Sequence, residues 1–120
     1  MYKEYKMKSM PYGKCRIRLV YNEYGLLERI ELKSYLTTVA VIDLADEMPV
    51  LYTTYDWKVF YESRRADKNP PKTSIRHISK FTKEFTGENL YHDLKKCDII
   101  NLNPEQVKTI VRTVVNTYIN

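Results

Sequence analysis

Four side chains in this 120-residue chain could ligate a metal or act as nucleophile and base: Cys15, His77, His92 and Cys97. A tetrahedral metal site draws on paired spacings such as C-x-x-C or H-x-x-x-H, which preorganise two donors on one turn. Only His92 and Cys97 are close in sequence, so no metal site and no cofactor are expected. A catalytic cysteine needs a base beside it. Cys15 stands next to Arg16, whose charge would favour a thiolate, but no histidine is near in sequence, and both cysteines read as inert. The carboxylate pairs Asp43/Asp46 and Asp93/Asp98 fall at turns, where acids solvate the chain. Three glycines cannot supply a phosphate loop or a dinucleotide fingerprint. These residues predict a protein that is not an enzyme.

The remaining chemistry is electrostatic. The net charge of +5 is segregated along the chain. Ser34 to Trp57 holds Asp43, Asp46, Glu47 and Asp56 and no lysine or arginine, whereas Lys58 to Lys83 holds eight basic residues. A localised positive surface near aromatics suits phosphate binding through counterion release, with a tyrosine or tryptophan to stack a base. Arg64, Arg65, Lys68 and Lys72 in a loop, continued by Arg76, Lys80 and Lys83 on a helix, are the candidate binding residues. The acids, with Tyr52 and Tyr55, would form a second candidate surface at a sheet end near Met48-Pro49.

These residues must be held by strands followed by helices. Cys15 to Tyr21 and Leu26 to Leu32 alternate with period two and flank Asn22-Glu23-Tyr24-Gly25, which predicts a hairpin. Tyr35 to Leu44 is a nearly continuous apolar run, as in a central strand covered on both sides. Val50 to Tyr61 resumes strand character, with a bend or bulge expected near Tyr55-Asp56. Glu62 to Lys72, with Pro70-Pro71, has the composition of an exposed loop. Ile75, Ile78, Phe81 and Phe85 then keep helical spacing from a cap at Thr73 or Ser74 to Gly87. A short helix is expected over 89–97. Asn103, Pro104 and Gln106 form a helix-start signature, followed by Val107, Ile110, Val111, Val114, Val115 and Tyr118 at i, i+3, i+4, i+7, i+8 and i+11. The expected architecture is α+β: an antiparallel four-stranded sheet with two to three helices packed on one face.

Length fits a single domain over 1–120, with residues 1–13 loosely ordered. Hydrophobic content of 43% and charged content of 29% are ordinary for a globular chain. The eleven tyrosines suit strand faces, ring inward and hydroxyl at the water. Two distant cysteines fit reduced thiols, the first residues lack the apolar core of a signal peptide, and the longest uncharged run, Ser34 to Ile42, is too short to span a bilayer. A cytoplasmic protein with no membrane partner is expected.

Ser34-Tyr35-Leu36-Thr37-Thr38-Val39-Ala40 with Ile42-Asp43, and Thr73-Ser74-Ile75-Arg76-His77-Ile78 with Phe81 and Glu84-Phe85, together resemble a pattern in small accessory proteins of phages and mobile elements. The resemblance covers about residues 34–86 and excludes the basic 62–72 loop. It implies a phage-type binding protein, some of which are anti-CRISPR or other anti-defence inhibitors that occupy a host protein or ribonucleoprotein surface. A basic DNA- or RNA-binding protein is the alternative. The resemblance transfers no functional residues; Arg76 and His77 are the positions within it to test first.

Overall fold

A computed structural model describes residues 1–11, 13–45, 47–63, 70–91 and 98–119. Six strands form one antiparallel sheet whose spatial order is the chain order: β1 (Tyr2–Lys6), β2 (Cys15–Tyr21), β3 (Leu27–Ser34), β4 (Thr37–Asp43), β5 (Val50–Thr53) and β6 (Asp98–Asn101). Among the described residues three α-helices accompany it: α1 (Trp57–Ser63) and α2 (Lys72–Thr86) between β5 and β6, and α3 (Pro104–Thr113) after β6. The α+β class and the antiparallel sheet stand. The four expected strands become six.

The two added strands are the sheet edges. β1 carries Tyr-Lys-Glu-Tyr-Lys, which shows no apolar alternation because, at an edge of the sheet among the described residues, only its Tyr5 reaches the core. Residues 2–6 pair with Val20 to Arg16 in register, so the expectation of a loose N-terminal segment does not hold there. β6 closes the opposite edge against β5. The β2–β3 hairpin forms as expected: the Asn22 carboxamide accepts from the Tyr24 and Leu26 amides, and Gly25 takes φ 80°.

β5 ends at Thr53 rather than running on to Tyr61. Asp56 stops it by starting α1: its carboxylate accepts from the Lys58 amide at 3.0 Å and its carbonyl from the Phe60 amide. Trp57, Phe60 and Tyr61 are spaced as i, i+3, i+4, so one run satisfied both periods and the cap decided between them. The N-cap of α2 is Pro71, two or three residues before the expected Thr73 or Ser74, and it supplies no side-chain cap; Gly87 ends the helix in the left-handed conformation at φ 83°. Asn89–Tyr91 is not helical, and the rest of the short helix expected over 89–97 lies outside the described residues. α3 has the full capping box, the Asn103 carboxamide accepting from the Gln106 amide and Gln106 accepting from the Asn103 amide. Beyond Thr113 it widens into a π-helical turn over Val114–Ile119.

Cross-strand partners share a face, so the register sorts the side chains. The inner face carries Ile17, Leu19, Ile30, Leu32, Ile42 and Leu51 and packs on Ile78, Phe81 and Phe85 of α2 and Ile110 of α3. Tyr118 stacks on Phe85 at 5.5 Å and meets Tyr5 edge-on at 5.5 Å. α1 lies on the outer face: Trp57 and Phe60 pack on Tyr52, which pairs with Val41 and, through it, Glu31. The expectation of all helices on one face is therefore corrected. The α3 stripe is also wider than the surface that packs, since Ile110, Val114 and Tyr118 are buried while Val111 and Val115 are exposed. No helix among the described residues is long and apolar enough to cross a membrane.

Candidate functional site

α2 buries one flank and presents the other. Ser74, His77, Ile78, Phe81, Thr82, Phe85 and Thr86 face inward, because at 100° per residue they fall on one side of the helix. Lys72, Arg76, Lys80 and Lys83 recur at i, i+4, i+8 and i+11 and are all exposed. At 1.5 Å per residue they form a cationic stripe about 16 Å long. No carboxylate among the described residues lies within ion-pair distance of any of these four. The only acid in α2, Glu84, is turned toward the sheet edge, where it accepts from the Ser9 amide at 2.7 Å and from the Tyr118 hydroxyl. Four of the expected binding residues thus share one surface. Arg64, Arg65 and Lys68 lie outside the described residues.

His77 departs from that surface. It is 6% exposed, and its Nδ1 lies 2.7 Å from the hydroxyl of Ser34, the last residue of β3. The Ser74 hydroxyl donates to Ser34 Oγ at 3.1 Å, so Ser34 links Ser74 to the His77 ring. Burial, reinforced by the charge of neighbouring Arg76, lowers the His77 pKa from its ordinary 6.5 and keeps the ring neutral. A Ser–His pair at this distance resembles a nucleophile with its base. Ser34, however, is only 2% exposed and sits inside the α2–β3 contact. The Ser74–Ser34–His77 chain therefore fastens α2 to the sheet.

Cys15 is fully buried, and burial pushes its thiol pKa up, with Glu84 adding to the rise against an opposing contribution from Arg16. That is the reverse of an activated nucleophile. His92 and Cys97 lie outside the described residues, and no group of three or more His, Cys, Asp or Glu side chains among the described residues could hold a metal ion. The expected acidic patch is not brought together. Asp43 ends β4 while Asp56 caps α1 beyond the far end of β5, a strand about 13 Å long at its four-residue length. Asp46 lies outside the described residues.

The register reveals one basic feature that the linear sequence hides. On the outer face Lys6 pairs with Arg16 and Arg16 with Lys33, a row of three like charges across β1, β2 and β3. The neighbouring row, Glu4–Arg18–Glu31, alternates in sign, with Arg18 and Glu4 2.9 Å apart. The Lys6–Arg16–Lys33 row leads to the β3–β4 turn, where Tyr35, Leu36, Lys14, Arg16, Lys33 and Glu4 line a shallow depression. The Tyr35 ring lies 6.0 Å from that of His77, so this turn meets the buried flank of α2.

No protein-family model matches this chain, and comparison with the curated proteins and with the solved structures gives no match.

Proposed function

We propose that this chain is a non-enzymatic binding protein whose α2 stripe engages the phosphate backbone of a nucleic acid. The observation that carries this reading is the row of Lys72, Arg76, Lys80 and Lys83, exposed and without carboxylate partners among the described residues, on a helix whose one acid is held elsewhere. Surface cations are ordinarily interleaved with acids that neutralise them. A regular, unneutralised row retains its field for an external polyanion, and release of condensed counterions drives the association. The sealed Ser34–His77 pair and the buried Cys15 support a role in binding over one in catalysis.

A titration of labelled duplex DNA with salt tests this. If all four cations contact phosphates, log K falls against log salt with a slope of about −3 to −4. Lys80→Glu with Lys83→Glu flattens that slope by about two units. Absence of any shift with DNA or RNA at low salt refutes the nucleic-acid reading. The same stripe would then serve the phage-type, anti-CRISPR or anti-defence role, occupying an acidic surface of a host protein or ribonucleoprotein. Capture of such a partner would survive nuclease and be lost on the same charge reversal.

A further inference from the structure

We propose that Tyr35 is a stacking platform for an unpaired base, and that Lys14, Arg16 and Lys33 hold the adjoining phosphates of a single-stranded nucleic acid. This rests on the reading of the chain as a nucleic-acid binder and names the form of nucleic acid bound. β3 ends at Ser34 and β4 begins at Thr37, so Tyr35 and Leu36 alone make the turn. Tyr35 takes φ 56°, the one non-glycine in the left-handed region among the described residues. An L-side chain there costs roughly 1 kcal/mol, and glycine or asparagine is the usual solution. Tyrosine at this place does not serve the core, because Tyr35 remains 54% exposed and Leu36 89% exposed. Strain combined with exposure points to a use outside the fold.

The surroundings match that use. The Tyr35 amide donates to the Lys14 carbonyl at 2.7 Å, which pins the turn to the start of β2. The His77 ring backs the tyrosine from the helix side. Arg16 is held in place by donating to the carbonyls of Cys15 and Gly13 at 2.9 and 3.5 Å. Lys33 stands directly across from it. Cations facing each other across strands destabilise a sheet unless an anion joins them. The single acid lining the depression, Glu4, is committed to Arg18. A duplex keeps its bases inside and offers nothing to the ring, whereas a single strand can lay a base on Tyr35 while its backbone follows the cations.

The test compares labelled oligothymidylate, oligouridylate and duplex DNA by fluorescence anisotropy at low salt. Tyr35→Ala is expected to weaken single-strand binding by about 5- to 100-fold and duplex binding by less than about twofold, while Tyr35→Phe keeps the native single-strand affinity. Tyr35→Gly suits the left-handed φ, so its thermal midpoint should equal or exceed the native one while single-strand affinity still falls; this separates lost stacking from lost folding. Native protein that binds duplex but not single strands overturns this proposal alone, as does Tyr35→Ala with undiminished single-strand affinity. Binding to no nucleic acid overturns both readings.

Discussion

The two faces of the sheet handle polar groups in opposite ways. Beneath the inner face two small sets of polar groups are tied together: Ser74 and Ser34 with His77, and Glu84 with Ser9 and Tyr118. Burial and the hydrogen bond to Glu84 raise the Tyr118 pKa far above its ordinary value, so the phenol remains protonated and can donate. On the outer face of β1–β3 the polar groups are acidic and basic side chains that, apart from the buried Glu31, stand partly or largely in water. Some alternate in sign, as in Glu4–Arg18–Glu31, and some do not, as in Lys6–Arg16–Lys33. An unmet hydrogen bond in the core costs free energy at once, whereas an unmet charge at the surface is screened by water and salt. The surface can therefore hold uncompensated charge ready for a partner, and the core cannot.

Three measurements would break or sharpen that contrast. Phe81→Ala should have the largest effect, since Phe81 is fully buried between the sheet and Phe85; denaturant unfolding is expected to show a loss of about 3–5 kcal/mol. A loss below about 1 kcal/mol would mean that the inner face is not close-packed there.

A smaller effect is expected from acid. The folded-state pKa of His77 lies below the unfolded value of 6.5, so the unfolded chain takes up its proton first as pH falls. Stability should be independent of this group above about pH 7, decline as pH drops through about 6.5, and level off once the folded ring also protonates. His77→Gln should be less stable at neutral pH but flatter over the same interval, and the difference between the two urea-unfolding profiles isolates His77 from His92. Parallel profiles would show that the ring is not sealed.

The smallest effect belongs to the outer face. A double-mutant cycle on Glu4 and Arg18 should return a coupling of about 0.2–1 kcal/mol, decreasing with added salt, because both side chains are partly in water. A coupling several times larger would place that pair in a more buried setting than its exposure indicates.

Much of this was legible in the residues. The β2–β3 hairpin, β4 as a continuous apolar strand, Gly87 as the end of α2 and the Asn103–Gln106 box all follow from local spacing and turn chemistry. So does the cationic stripe, since helical periodicity alone separates Arg76, Lys80 and Lys83 from Ile78, Phe81 and Phe85. The same periodicity leaves His77 ambiguous, because it sits at the boundary of the buried arc, and the approach of Ser34 from β3 turns it inward. β1 and β6 were not legible, because an edge strand earns its hydrogen bonds from one neighbour and needs little apolar pattern of its own.

The sequence by itself determined which segments are amphipathic and which stretch is basic, because both are properties of order along the chain. Only the tertiary structure decided that α1 covers the outer face, that Asp43 and Asp56 stand apart, and that Lys6, Arg16 and Lys33 line up beside Tyr35. Those outcomes depend on strand register and on which elements meet. Register is fixed by summed packing across the whole sheet, so no local window contains it.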